Sequence, residues 1–245
     1  MKTGFIFSAG SFYGLHKAPQ PEDLIIAADA GLLLCQQLKL KPDYIIGDFD
    51  SVSGKDFAPA SGKDFASVSG NDFAPASGKD FDSSVTSNSE AESSNLTEKI
   101  LRYPVEKDDT DTMLAIKKSL ELGCEEIYIY GGTGGKRMDH TLANIAALGY
   151  ANSMGCKAYL YDDNFIFTVM SSEKVVIKKT IEDGLISVFA FGGDAAGVSI
   201  QGTQYTLDNA ALCSNFPLGV SNHMRDDLAV ISCTKGSLLV GWQLA

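Results

Sequence analysis

Two aspartates one residue apart follow an apolar run in Tyr44-Ile45-Ile46-Gly47-Asp48-Phe49-Asp50-Ser51. The β-branched and aromatic content of the run predicts a buried strand. Positions i and i+2 of a strand share a face, so Asp48 and Asp50 stand side by side at its carboxyl end. Two carboxylates placed so repel each other. A divalent cation of the Mg²⁺ type relieves that repulsion, because it takes oxygen ligands and keeps other positions for water or phosphate. A solvated turn with both acids as local capping groups accounts for the same residues.

Two further stretches carry chemistry. Asp108, Asp109 and Asp111 sit where a helix is predicted to start. Capping and the helix dipole account for acids there, but three in four positions exceed what a cap needs. With Asp48 and Asp50 they could complete a metal site. Next comes Gly131-Gly132-Thr133-Gly134-Gly135-Lys136-Arg137-Met138-Asp139-His140. It is no P-loop: Gly131 stands one position too close to Gly135, and Arg137 occupies the Ser/Thr position. A glycine-rich loop ahead of a helix can still offer backbone N–H groups to an anion, with Lys136 or Arg137 as charge partners. A flexible turn is the alternative. His140 by itself reads as structural, and three histidines without a Cys/His cluster give no zinc site. Trp242 reads as core.

The elements that must position these residues alternate. Strands are predicted at Phe5 to Phe7, Leu24 to Ala28, Tyr44 to Ile46, Ile100 to Tyr103, Ile127 to Tyr130 and Ala158 to Tyr161. Helical patterns run from Leu32 to Leu40, from about Asp109 to Leu122 with Met113, Ile116 and Leu120 as the apolar stripe, and from about Thr141 to Met154. Strands alternating with helices predict an α/β domain with a mostly parallel open sheet. Ser8-Ala9-Gly10-Ser11, Asp29, the Asp48/Asp50 pair and the glycine loop all follow strand carboxyl ends, where such sheets bind ligands, so they are expected to converge. After about residue 164 short strands follow one another without helices, at Phe165 to Val169, Lys174 to Lys178, Leu185 to Phe191, Gly197 to Ile200, Leu228 to Ser232 and Leu238 to Trp242. They predict an all-β sandwich or barrel. The boundaries are 1–162 for the α/β domain and 163–245 for the β domain.

Between Ser53 and Ser84 an eight-residue unit repeats as SGKDFAPA, SGKDFASV, SGNDFAPA and SGKDFDSS, and a Ser-rich tail runs on to Asn95. One Phe per unit is too little apolar surface to offset chain ordering, so residues 52–95 read as a low-complexity, mostly mobile insertion. A length of 245 residues with 44% hydrophobic content supports a sizeable core. The net charge of −11 argues against nucleic acid or an anionic membrane as partner. The five scattered cysteines, without a CxxC pair, read as reduced thiols of a cytoplasmic protein. The first residues form too short an apolar run for a signal peptide, and no stretch is long enough to span a bilayer.

Pro42 to Ser51, Glu106 to Asp111, Gly134 to His140 and Gly219-Val220-Ser221-Asn222, in that order, resemble the thiamine pyrophosphokinase (thiamine diphosphokinase) family. The resemblance spans nearly all the chain outside the octads. It implies a homodimer in which an α/β catalytic domain precedes a β-sandwich that binds thiamine. It implies transfer of pyrophosphate from ATP to the thiamine hydroxyl with Mg²⁺, giving thiamine diphosphate and AMP. Asp48, Asp50, Asp108, Asp109 and Asp111 would hold the metal. Gly10, Asp29, Asp108, Asp109, Thr133, Lys136 and Arg137 would line the ATP site. Asp139, His140, Ser221 and Asn222 would meet thiamine in a cleft shared between subunits, and Asp48, Asp50, Asp111 and Asp139 would be catalytic. Two departures stand out: Lys136 adds a cation where members often have Gly-Gly-Arg, and Ala30 follows Asp29 where Asp-Gly-Gly is common. A binding regulator on the same fold leaves the intact acids unexplained, and a metal-dependent phosphohydrolase leaves the β domain without a task.

Overall fold

The structure, a computed structural model, describes residues 1–47, 66–67, 99–102 and 108–245. Asp48 and Asp50, and all but two residues of the expected insertion at 52–95, lie outside the described residues. The first half runs β1 (Thr3–Phe7), β2 (Leu24–Ala28), α1 (Gly31–Gln37), β3 (Tyr44–Gly47), β4 (Ala66–Ser67), β5 (Lys99–Arg102), α2 (Asp111–Glu121), β6 (Glu126–Tyr130), α3 (Met138–Ser153) and β7 (Lys157–Tyr161). Its strands are all parallel, in the order β4-β5-β3-β2-β1-β6-β7. The order reverses at β1, with β2, β3 and β5 on one side and β6 and β7 on the other. The crevice outside the carboxyl ends of β1 and β6 is therefore the topological switch point, the place where open α/β sheets receive ligands.

Alternation along the strands builds two cores. Ile6, Ile26, Ile46, Ile127, Ile129 and Leu160 bury themselves with α2 and α3. Phe5, Phe7, Ala27, Ile45, Tyr128 and Tyr130 face the other way, with Leu32, Leu34 and Cys35 of α1. Burial on both faces is why these strands read as unbroken apolar runs. Two aromatic rows cross the second face, Phe5–Tyr128–Tyr159 with centroids 5.2 Å apart at each step, and Phe7–Tyr130–Tyr161 at 5.7 and 4.5 Å. Trp242 meets Tyr159 edge-on and belongs to this core, as its sequence context predicts.

The second half continues as β8 (Phe165–Ser171), β9 (Lys174–Lys178), β10 (Leu185–Gln201), β11 (Leu207–Leu212), β12 (Gly219–His223), β13 (Leu228–Ser232) and β14 (Lys235–Gln243), all paired antiparallel. The sheet does not stop between the halves. A tight connection closed by Asp162 N–H on the Phe165 carbonyl, 2.8 Å, turns β8 back against β7. Whole-chain order is then a mixed sheet with few helices.

Several elements differ from their sequence reading. The strands expected at Leu185 to Phe191 and Gly197 to Ile200 are one 17-residue strand, β10. It pairs with β12 and β14 before Gly192-Gly193 and with β11, β13 and again β14 at Ala196 after it, because those glycines take positive φ and bend the strand without ending it. β11, Leu-Asp-Asn-Ala-Ala-Leu, is too polar to show as a strand. β4 comes from the second octad and pairs parallel with β5, a backbone ladder that low apolar content does not prevent. The stripe on α2 centres on Thr112, Ala115, Ile116 and Ser119, with Met113 and Leu120 at its margins. Small residues there let the helix lie close on β1. α1 ends early, at Gln37, where Lys39 adopts a φ of 56°. Burial pushes the Cys35 thiol up to about 12 and those of Cys124 and Cys156 to about 11, which makes them packing groups.

Close approach of α1 to β1 depends on Gly31. A Cβ at this position would fall on the carbonyl oxygen of Phe7, inside van der Waals contact. Gly31→Ala is expected to push α1 off the sheet and cost about 1–3 kcal/mol, the scale of an overpacked site. Urea unfolding checks this, with a lower midpoint at unchanged m as the expected result.

Candidate active site

The loops after β1 and β6 are laced together at the switch point. Gly10 N–H donates to the Gly131 carbonyl at 2.7 Å, Ser11 N–H to the Thr133 carbonyl at 2.9 Å, and Gly135 N–H to Ser11 Oγ at 3.1 Å. A Cβ on Gly10 would strike the carbonyl oxygens of both Gly131 and Thr133, and one on Gly131 would strike that of Ser8. Side chains are excluded here because two backbones must touch. The glycine loop is therefore a fixed wall and not a free turn. α3 holds it from below, with Asn144 Nδ2 donating to the Gly132 carbonyl at 2.7 Å. Thr133 Oγ1 donates to Asp162 Oδ1 at 2.6 Å.

β2 ends in Asp29, whose backbone takes a φ of 50° and whose N–H donates to the Ile46 carbonyl of β3 at 2.7 Å. That bond sets Asp29 against Gly47; a Cβ on Gly47 would lie 3.1 Å from the Asp29 Cα. Asp29 Oδ1 is buried and finds no hydrogen-bond partner among the described residues. An orphaned carboxylate oxygen next to the residue that leads into Asp48 fits a cation or a ligand donor.

Thr110 caps α2, its hydroxyl accepting from Met113 N–H at 3.2 Å, so Asp108 and Asp109 are not spent on the cap. Asp109 pairs with Lys117 at 2.7 Å, and Asp111 supplies the acid of the first turn. Thr112 Oγ1 lies 3.0 Å from Ser8 Oγ and fastens the start of α2 to the end of β1. Among the described residues no three acids, histidines or cysteines gather as metal ligands. Asp108, Asp109 and Asp111 therefore do not make a metal site on their own.

α3 begins at Met138, earlier than its sequence pattern predicts, which places Asp139 and His140 in its first turn. Both are exposed. The Arg137 guanidinium grips the Asp139 carboxylate, with Nε donating to Oδ1 at 3.1 Å and a second, shorter bond beside it. Those bonds hold the Asp139 carboxyl down to about 2. Lys136 is exposed beside them.

Ser221 and Asn222 lie on β12. Ser221 has a φ of 58° within a register shift against β10, so the strand carries the local twist of a turn. Asn222 is only 5% exposed. Its Oδ1 accepts from Tyr205 and His223 N–H at 2.9 and 3.0 Å, and its Nδ2 donates to Thr203 Oγ1 and the Tyr205 carbonyl at 3.1 and 2.6 Å. The amide's bonding capacity is filled inside the fold. Tyr205, pinned at both backbone groups, leaves its ring 65% exposed. On the sheet path β6-β7-β8-β14-β10-β12, four strands separate the glycine loop from Ser221. The path has five inter-strand steps of about 4.8 Å, on the order of 24 Å along the sheet.

The structure thus brings together Gly10, Asp29, the start of α2 and the loop from Thr133 to Arg137, and sets Ser221 and Asn222 apart from them. Sequence reading passed over Thr112, Asn144 and Asp162. Asn144 was legible as a lone polar residue in the apolar run Ala143 to Leu148; Asp162 carried no signal beyond following a strand.

Strand-end loops stitched through glycines, an orphaned acid and basic residues ahead of a helix define an α/β protein with an anion-ready switch-point site, continued by an antiparallel β half. Residues 76–160 match the family model of the thiamin pyrophosphokinase catalytic domain, and residues 173–238 that of its vitamin B1 binding domain. Thiamine pyrophosphokinase of Bacillus subtilis (strain 168) is 31% identical over 138 residues, spanning 56% of this chain and 64% of the relative. The crystal structure of thiamine pyrophosphokinase from Bacillus subtilis superimposes with a TM-score of 0.77 at 24% identity, covering 99% of each chain. That of thiamin pyrophosphokinase from Geobacillus thermodenitrificans gives 0.73 at 18% identity, covering 100% of this chain and 98% of the other. The chain belongs to the thiamine pyrophosphokinase family, a family of enzymes.

The Arg137–Asp139 pair has a direct test. A depressed pKa means that Asp139 stays ionised as pH falls and protonates only near 2, below the ordinary carboxyl range. Arg137→Ala is expected to return it toward the ordinary aspartate value of 3.8. Carboxyl-carbon NMR titration reads both; an ordinary value in the unaltered protein would show that the pair does not form in solution.

Proposed function

We propose that this chain transfers the pyrophosphoryl group of ATP to the hydroxyl of thiamine, giving thiamine diphosphate and AMP. The observation that carries this reading is the pairing of the laced switch-point loops with ordered matches to the catalytic and vitamin B1 binding models of one family. The proposed division is a catalytic half at 1–162, with a mostly parallel open sheet, and a thiamine-binding β-sandwich half at 163–245. Free thiols at all five cysteines suit a cytoplasmic protein.

In the reaction the thiamine oxygen bonds to the β-phosphorus, the bond from that phosphorus to the α–β bridging oxygen breaks, and AMP leaves with the bonding pair. The alcohol proton is released. Backbone N–H groups of the glycine loop around Thr133, held in place by Gly10 and joined by Lys136 and Arg137, would hold the phosphates, where fixed donors act without reorganising. Asp48, Asp50, Asp108, Asp109 and Asp111, with the orphaned Asp29 oxygen beside them, would hold Mg²⁺. When bound, the ion supplies charge neutralisation across the triphosphate. Asp139 and His140 would face thiamine from the first turn of α3. A carboxyl near 2 is a weak base, so Asp139 holds and orients the alcohol and does not take its proton while Arg137 grips it. Ser221 would face the thiamine ring, with Asn222 behind it.

The sheet distance between the glycine loop and Ser221 supports a homodimer in which each site draws on both subunits. Complementation tests it: Asp139→Ala and Ser221→Ala proteins, each impaired alone, are expected to regain about a quarter of unaltered activity on mixing, the share of sites in random hybrids that keep both groups. Absence of recovery in confirmed mixed dimers refutes the shared site.

The reaction is read with ATP labelled at the β-phosphate. Label is expected in thiamine diphosphate, with AMP formed in equal amount. Thiamine monophosphate with ADP, or phosphate release that does not depend on thiamine, overturns the assignment.

A further inference from the structure

We propose that Asp162 is a positioning residue for the nucleotide. Acting through Thr133, it fixes the glycine loop in the shape that receives the phosphates. The inference rests on the ATP reading of that loop given above.

Four glycines within five positions give Gly131 to Gly135 little conformational preference of its own. Its shape has to come from outside, and three elements provide it. The loop after β1 takes the Gly131 and Thr133 carbonyls. Asn144 on α3, itself buried, takes the Gly132 carbonyl. Asp162 takes the Thr133 hydroxyl at 2.6 Å, in the range of a short hydrogen bond to a charged acceptor. Thr133 is only 5% exposed, so its hydroxyl points into the protein and its effect on a ligand runs through its backbone.

Asp162 is placed for this task. It closes β7, and its N–H is already used in the turn to β8. Its carboxylate reaches 29 residues back along the chain instead of serving its own hairpin. The residue therefore joins the glycine loop to the point where the parallel sheet passes into the antiparallel half. Misplacement of a binding loop by about 1 Å can cost about a hundredfold, and a tie of this kind prevents it.

The test uses the full chain with Asp162→Ala, Thr133→Val, both together, and the conservative Asp162→Asn and Thr133→Ser, which keep an acceptor and a hydroxyl. Four quantities are measured: affinity for α,β-methylene ATP with Mg²⁺, amide hydrogen exchange of Gly131 to Gly135 without ligand, KM for thiamine, and the melting temperature. Asp162→Ala and Thr133→Val are each expected to weaken nucleotide affinity about tenfold and to speed exchange in the loop, with the double variant no worse than either, because one bond is lost in all three. Asp162→Asn and Thr133→Ser stay within about threefold of the unaltered protein, and KM for thiamine moves less than affinity for the nucleotide. Additive losses, or a lowered melting temperature with unchanged loop exchange and unchanged nucleotide affinity, overturn the proposal. If Asp162→Ala fails to fold, Thr133→Val against Thr133→Ser decides by the same readings. Failure of the labelled-ATP reaction refutes the enzymatic reading and is separate, since affinity and exchange are measured without turnover.

Discussion

The hydrogen bond from Gly10 to Gly131 exists because neither residue has a side chain. Their backbones meet at the strand ends where the sheet order reverses, and a Cβ on either would collide with a carbonyl oxygen. From that contact the rest of the site follows. Ser11 comes within reach of Thr133 and Gly135, and the loop ahead of α3 stands upright over the crevice. Asp29 occupies the next strand end, held by β3, and α2 is fastened at Ser8. Each tie is one hydrogen bond of about 1 kcal/mol net, yet together they fix donors before any ligand arrives.

Charge is the second constraint. A chain of net charge −11 has to receive a triphosphate in the proposed reaction. Among the described residues, the cations nearest the site are partly engaged: Arg137 with Asp139, and Lys117 with Asp109. In the proposed reaction an incoming phosphate at Arg137 would compete with Asp139 for the same guanidinium. Release of Asp139 from that grip would raise its carboxyl toward ordinary values, so under the proposed reaction nucleotide binding and the basicity of Asp139 would be linked. Lys136, which adds a second cation at this point of the loop, would then reduce the need for Arg137 to leave Asp139.

Elements that carry a strong local pattern were legible in the sequence. β2 and β9 have the bounds their composition predicts, and the alternation of strands and helices gives the parallel order through β7. The convergence of Gly10, Asp29 and the glycine loop follows from topology alone. What escaped was information that lies in pairing and not in residue type. β10 contains Gly192-Gly193, a turn signal by composition, yet its neighbours β14 and β11 keep the strand running through the bend. Asn222 reads as a ligand residue, but only the fold shows that Thr203 and Tyr205 consume its amide. Asp162 and Thr133 are 29 residues apart, beyond the reach of any periodicity.

The continuity of the sheet bears on how its two halves could serve one substrate. Paired strands run without a break from β6 through β7, β8, β14 and β10 to β12. A hinge between the halves would have to break one of these ladders, and the β7–β8 pair at the junction is closed further by the Asp162–Phe165 turn and by Thr168 Oγ1 on the Ala158 carbonyl at 2.8 Å. Twist changes the direction of the strands but does not shorten the path across four of them. Along that path the glycine loop and Ser221 of one chain stand with four strands between them. A surface that cannot bend toward its own strand-end residues can still present them, held in place, to a neighbour, and in that sense the fixed sheet bears on the proposed shared site.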